Sequence, residues 1–315
     1  MARRTDARSS ATQRELLVTS LRKEPLLYLM LFPPLVYFAM FRYWPMYGVT
    51  YAFRNYSIFT GEAPWVGLAV FRRLVSLPGF WVAFRNNVII SFGGFVFGFP
   101  VPIILSLLIN ELVHIRFKKF VQTTVLLPSF ISWVIIGGLV YTLLSPSSGV
   151  VAAILRGVGY EGRIPNLLVS TDHFRKVIIV SYVWRAGGFA TIIYLAAIAS
   201  IDYELYDAAV IDGAGRWAQA WRITLPSIRP VIIILLIFRV GALMDAGFEQ
   251  IFAMYNPLVY EVSEILDTYV YKVGLIQRNY SLATAAGLFQ SLIGLVLVVV
   301  TNWIAQKVEP GSGIV

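Results

Sequence analysis

The sequence contains no cysteine and only two histidines in 315 residues. Disulfides, thiolate zinc sites and cysteine nucleophiles are therefore excluded together. No G-x-x-x-x-G-K-[S/T] loop occurs, so the chain cannot cradle nucleotide phosphates itself. No H-E-x-x-H pair occurs either, and no serine sits in a nucleophile-elbow context. Charge is also scarce: 14% of residues are charged against 58% hydrophobic, with a mean hydropathy of +0.72. A soluble globular domain does not carry that balance. The formal net charge of +9 would suit nucleic acid in a soluble protein. In a membrane chain, Lys and Arg set orientation and meet anionic headgroups instead, and nucleic acid is not an expected partner.

What is abundant is apolar sequence in runs near the length that spans a bilayer as a helix. Six such runs predict six transmembrane helices: Leu26 to about Trp44, Ala83 to Leu112, Phe120 to Leu144, Val177 to Ile201, Ile228 to Phe252 and Ala285 to Ile304. The fold class is thus all-α and integral to the membrane. Residues 1–25 form a basic tail, 26–307 the transmembrane domain and 308–315 a short C-terminal tail. Pro33 and Pro34 would kink the first span, and Pro128 the third. Tyr43 to Val82 reads as a long loop with interfacial aromatic residues. Ser145 to Lys176 and Asn256 to Thr284 read as further loops on the same side, the last with a short amphipathic piece around Ile265 to Val273. The turn His114 to Lys119 is short and basic, and with the tail it argues for an N-terminus on the cytoplasmic side of the membrane.

One stretch stands apart from the apolar background. Residues 202–226, DYELYDAAVIDGAGRWAQAWRITLP, are polar and separate two spans. Asp202 can cap a short helix with Glu204 in its first turn. Ala208 and Ala209 are small enough to let another surface approach closely. Gly213 and Gly215 are expected to permit a turn with positive φ. A second short helix follows from Arg216, carrying Trp217, Ile223 and Leu225, and Pro226 breaks register before the next run. The expected product is a helical hairpin on the membrane surface, on the same side as the N-terminus.

Asp207-Ala208-Ala209, Asp212-Gly213-Ala214, Ile223 and Leu225-Pro226 resemble the cytoplasmic "EAA" loop of bacterial ABC-importer permeases, with Asp207 where the family usually has Glu. Further segments are similar to the subgroup that imports complex oligosaccharides, including the first permease of alginate- and rhamnogalacturonan-type systems. These segments are Pro45-Met46-Tyr47-Gly48-Val49, Pro64-Trp65-Val66-Gly67, Phe117 to Thr123, Ile193 to Ala197, Asn256-Pro257-Leu258 and Thr268 to Leu275. Together they cover nearly everything from Pro25 to Lys307. The resemblance implies a MetI-like permease bundle in the bacterial inner membrane, whose coupling loop docks in a cleft of an ATP-hydrolysing subunit. It also implies a second permease in a heterodimer, two ABC ATPase subunits that hold ATP and Mg, and an external solute-binding protein. The chain itself would be non-catalytic and bind no cofactor directly.

Ionisable groups inside apolar runs are costly and usually face a bundle interior or a watery path. Arg239, Asp245 and Glu249 qualify in the fifth run. Asp245 and Glu249 lie one turn apart and are expected to share a helix face. Arg239 is expected to meet another helix. Each role remains open between an interhelical ion pair and a translocation path. Trp184-Arg185 in the fourth run can stack on a sugar ring and grip hydroxyls or a carboxylate. Equally, Trp184 can pack against lipid while Arg185 snorkels. Tyr141, Tyr194 and Gln250 are weaker path candidates. Three rivals remain: the same fold with another cargo such as a phosphonate, amino acid or peptide; a membrane-embedded enzyme; and a passive channel. The spans hold no convergent acid–base or metal constellation for the second, and a pore has no use for the polar hairpin.

Overall fold

The computed structural model describes residues 25–58 and 60–308. The basic N-terminal tail and the C-terminal tail beyond Val308 lie outside the described residues. Among the described residues the fold is all helix, apart from one isolated bridge between Arg54 and Trp65. Four helices are long and apolar enough to cross a membrane: α1 (Pro25–Phe53), α3 (Pro78–Asn110), α7 (Phe174–Ala199) and α14 (Tyr280–Val308). Two bent pairs supply two more: α4 with α5 (Ile115–Phe130, Trp133–Leu143; 104°) and α9 with α10 (Arg216–Ser227, Arg229–Met244; 62°). Six spans result when each pair counts once.

Several boundaries differ from the sequence expectation. The first helix does not end near Trp44 but continues in tighter turns to Phe53, because Pro45 fits the opening turn of a helical segment. The loop that follows contains the amphipathic α2 (Ala69–Ser76), which buries Val70 and Leu74. Pro78 then opens α3 earlier than expected. The third loop contains α6 (Val150–Gly157). The expected amphipathic piece is present as α13 (Leu266–Tyr271), preceded by the short α12 (Tyr260–Ser263).

The third and fifth runs are interrupted rather than merely kinked. After Pro128 the chain becomes extended at Ile131, and Ser132 caps α5 by accepting from the Ile135 amide. The freed Ile131 carbonyl accepts from Arg185 Nε at 2.9 Å, and Ser129 Oγ donates to the Arg185 carbonyl at 2.8 Å. In the fifth run, α10 stops at Met244 and α11 (Phe248–Met254) starts after Gly247, which has φ +83°. The Met244 carbonyl accepts from Asn87 Nδ2 and Gln290 Nε2, each at 2.9 Å. Irregular backbone at membrane depth is tolerated only where its polar groups find such partners.

Among the described residues the core lies in three main clusters. Phe80, Leu74, Leu266, Tyr269 and Ala285 form one; Ile90, Trp133, Ile178, Ile251 and Ile265 a second; Tyr194, Ile198 and Ile228 a third, near the hairpin. Glycines bring the helices close. A Cβ on Gly188 of α7 would overlap the Val125 carbonyl of α4, so only glycine permits that contact. By contrast, no residue from Pro25 to Tyr43 is buried within this chain. A helix apolar on all sides and bare in its own subunit must be covered by lipid or by another protein.

Candidate coupling hairpin and translocation path

Residues 202–226 fold as the expected hairpin. Asp202 Oδ1 accepts from the Glu204 amide at 3.0 Å and caps α8 (Tyr203–Ile211). The helix ends in a tight reversal: the Gly213 amide donates to Val210 O (3.0 Å) and the Ala214 amide to Ala209 O (2.8 Å). Gly213 has φ +76°. Gly215 does not share that conformation; its φ is −69°, because it stands as the extended residue that starts α9. Two side-chain bonds fasten the arms. Gln219 Nε2 donates to the Ala214 carbonyl at 2.8 Å, and the Tyr206 and Thr224 hydroxyls lie 2.8 Å apart.

The hairpin is tied internally, and its first arm is barely packed on its own bundle, whereas the second arm buries Ala220 and Thr224. No α8 residue is buried, Asp207, Ala208 and Asp212 are exposed, and Ala209 and Ala214 are half-buried. Large apolar side chains also face outward: Ile211 is 85% exposed and Trp217 73%. Ile223 and Leu225 are half-buried where the second arm re-enters the bundle, and Pro226 is exposed. Arg216 Nε lies 3.9 Å from Glu111 Oε2, which places the hairpin at the same end of the bundle as the basic His114–Lys119 turn.

The intramembrane candidates separate into two groups. Arg239, Asp245 and Gln250 converge with Tyr182 and Ser91 on a polar pocket of about 120 Å³ between α3, α7 and the fifth-span break. The Arg239 guanidinium lies over the Tyr182 ring, 4.8 Å from its centroid, so it does meet another helix. Gln250 Nε2 donates to Ile178 O at 2.7 Å and Ser181 Oγ at 3.0 Å. The Ser91 hydroxyl is buried there without a hydrogen-bond partner. Asp245 and Glu249 do not share a helix face, because the helix breaks between them. Asp245 Oδ1 accepts from the Gly247 amide at 3.0 Å, while Glu249 is exposed on the first turn of α11.

The remaining candidates are dispersed. Arg185 lies over the Trp133 ring at 4.6 Å while holding the Ile131 carbonyl, so its head is engaged at the third-span break. Trp184 is half-exposed and Tyr141 exposed, whereas Tyr194 is buried beside Ile198 and Ile228. A larger open cavity of about 790 Å³ adjoins the fifth-span break, and Asp245 lines both spaces. Its wall is completed by α13 and α14, including Asp267, Tyr271, Tyr280 and Ser291. Among the described residues no group of three or more His, Asp or Glu is placed to hold a metal ion.

The chain as a whole has counterparts among known proteins. The family model described as "Binding-protein-dependent transport system inner membrane component" matches residues 98–311. The chain belongs to this family. The polygalacturonan/rhamnogalacturonan transport system permease protein YteP of Bacillus subtilis is 42% identical, covering 94% of this chain and 92% of that protein. LplB of the same organism is 40% identical over 93% and 92%. Among solved structures, a bacterial ABC transporter involved in import of the acidic polysaccharide alginate superposes with a TM-score of 0.86. It is 41% identical, over 93% of this chain and 99% of that one. The protein is therefore an ABC-importer permease, as the resemblance implied.

The sequence reading of this permease missed the residues that hold its breaks together. Asn86, fully buried, donates to the Glu261 and Glu264 carbonyls at 3.0 Å each and accepts from Arg175 Nη2 at 2.6 Å. Asn87, also fully buried, bonds Met244 O and accepts from the Leu266 amide at 3.3 Å. Gln290 joins Met244 O to Asp267 Oδ1 (3.1 Å). A signal was available: two adjacent asparagines inside an apolar run are expensive unless they have work to do. Asp267 lies outside the spanning helices. Burial pushes its carboxyl above the ordinary aspartate range, the Gln290 bond opposes this, and nearby Asp245 adds to it.

Proposed function

We propose that this permease carries oligosaccharide fragments of acidic polysaccharides across the bacterial inner membrane as one half of a heterodimer. Residues 202–226 face the cytoplasm and dock on one of two ABC ATPase subunits. The N-terminus is cytoplasmic, and an external solute-binding protein delivers the cargo. ATP and Mg reside on the ATPases. When these close, each draws on a hairpin, and the attached helices reorient so that the path opens to alternate sides. Asp207 presents charge to the ATPase, Ala208 and Ala209 allow close approach, and Gly213 forms the turn.

The observation that carries this reading is the exposed yet internally fastened hairpin. A segment whose first arm buries nothing in its own chain but which holds its shape with the Gln219–Ala214 and Tyr206–Thr224 bonds is suited to transmit force to a partner. The cargo class is supported by the similar transporters, which concern polygalacturonan, rhamnogalacturonan and alginate. Another structure of the alginate transporter, 40% identical with a TM-score of 0.85, holds a periplasmic protein bound to an alginate pentasaccharide. The bare apolar surface of Pro25 to Tyr43 supports a second permease or lipid as its cover.

The test is co-purification with candidate ATPase and second-permease subunits, followed by ATPase and uptake measurements in liposomes with binding protein and galacturonate oligomers. Stimulation by the loaded binding protein is expected. Asp207→Lys is expected to leave insertion and assembly of the two permeases intact and lower uptake at least about tenfold, since like or reversed charge at an interface costs several kcal/mol. Normal uptake in that variant, or labelling that puts Arg216 outside the cell, would overturn the coupling assignment.

A further inference from the structure

The large cavity beside the fifth-span break carries the wrong charge for the acidic units of the proposed cargo. It is open, has a volume of about 790 Å³, and is walled by α1, α11, α13 and α14. Two carboxylates line it, Asp245 and Asp267, and among the described residues its lining includes no Lys, Arg or His. Of the cations nearest in sequence, Lys272 is paired with Glu264 at 3.2 Å outside this lining, and Arg239 lines the smaller pocket on the other side of Asp245 and is engaged with Tyr182. The rest of the wall is suited to a sugar. Phe248 and Tyr271 form an aromatic pair with centroids 5.8 Å apart, and Tyr280 stands nearby. Such rings accept the C–H face of a pyranose, while carboxylates accept hydrogen bonds from its hydroxyls. Ser291 adds a hydroxyl on the exposed face of α14.

We propose that this cavity receives a neutral, hydroxyl-rich sugar unit of the transported chain, and that Asp245 and Asp267 turn carboxylate-bearing units away from it. The proposal rests on the cargo reading above and sharpens it. A uronate carboxylate placed here meets two fixed carboxylates with no cation to offset them, and like charges in a confined space repel. A neutral unit offers donors to both. The permease therefore favours chains in which neutral units alternate with acidic ones over chains made of uronate alone. Both aspartates are placed to act on the same space: Asp245 is fixed by its bond to the Gly247 amide, Asp267 by its bond from Gln290.

The test uses the complete transporter, with second permease, ATPases and binding protein, in liposomes. Uptake is measured for trigalacturonate and for an alternating rhamnose–galacturonate tetrasaccharide, each as the ratio of variant to wild type. The ratio cancels any preference of the binding protein. The Asp245→Asn, Asp267→Asn double variant is expected to raise trigalacturonate uptake about tenfold, by removing the like-charge repulsion. It should leave the alternating sugar within about twofold, since amides retain the hydrogen bonds. Ser291→Lys, which leaves the turn at Asp245 untouched, is expected to act in the same direction and covers the case where the double variant fails to assemble. Equal ratios for the two sugars would overturn the proposal. So would variants whose only effect is weaker co-purification of the second permease, since the cavity would then be a protein contact. If neither sugar stimulates the wild-type transporter, the cargo reading falls and takes this one with it, whereas stimulation by both without a split sinks this one alone.

Discussion

The coupling hairpin and the broken fifth span are neighbours in sequence and opposites in construction. The hairpin is fastened by bonds between residues five and eighteen positions apart and leaves its first arm bare. The break at Met244–Gly247 is held by residues far away in sequence, Asn87 and Gln290, 157 and 46 positions distant, inside the bundle. The difference follows from the solvent each meets. At the membrane surface, water or a partner satisfies loose backbone groups, so a local clamp is sufficient. At membrane depth an unpaired carbonyl costs several kcal/mol, so neighbouring helices must supply donors. One region is therefore free to be moved, and the other fixes how the helices stand when movement arrives.

Breaking the buried side of the contrast should give the largest effect on stability. Asn87→Leu removes the donor to Met244 O and the acceptor for the Leu266 amide at a fully buried site. A loss of about 2 kcal/mol is expected: Met244 O keeps its bond from Gln290, but the Leu266 amide loses its acceptor, and a buried group left unpaired costs about 1–3 kcal/mol. The check is the apparent Tm of purified protein, with uptake falling in step with the folded fraction.

The exposed side should respond in the reverse manner. Gly213→Pro cannot adopt φ +76° and also loses the amide bond to Val210 O, so the turn itself fails. Uptake is expected to vanish while Tm barely moves. Gly213→Ala sharpens the point, because a Cβ there meets nothing within 4 Å. Only the left-handed conformation opposes it, at about 1–2 kcal/mol, and partial uptake should remain. If Gly213→Pro lowers Tm as much as Asn87→Leu, the two regions are not built differently after all.

The smallest effect is expected from Tyr206→Phe, which removes one hydroxyl from the clamp at Thr224. A single hydrogen bond is worth about 1 kcal/mol, so Tm should hardly change. What should change is the number of sugars moved per ATP, because a looser hairpin yields before the bundle does. An unchanged ratio would show that the Gln219–Ala214 bond is a sufficient clamp.

The hairpin was legible residue by residue. Asp202 as cap, the turn at Gly213 and the restart at Arg216 each follow from local rules, and Gly215 alone was given the wrong role, since a glycine that opens a helix looks the same in sequence as one that closes it. The path was less legible. Counting along one continuous helix puts Asp245 and Glu249 on one face, but the helix stops before Asp245 and restarts at Phe248. Arg185, which reads as a sugar-binding candidate, is engaged at the Ile131 carbonyl of another span.

Composition and the length of the apolar runs were enough to dictate a six-span membrane protein, and local helix-ending rules were enough to shape its surface hairpin. Those features depend on residues within a few turns of one another. Where spans three and five break, which asparagines and glutamines satisfy the breaks, and which carboxylates end up facing one cavity were decided only by the folded bundle. A carbonyl released inside the membrane finds its donor on whichever helix packs against it, and that neighbour is set by three-dimensional contact, not by position along the chain.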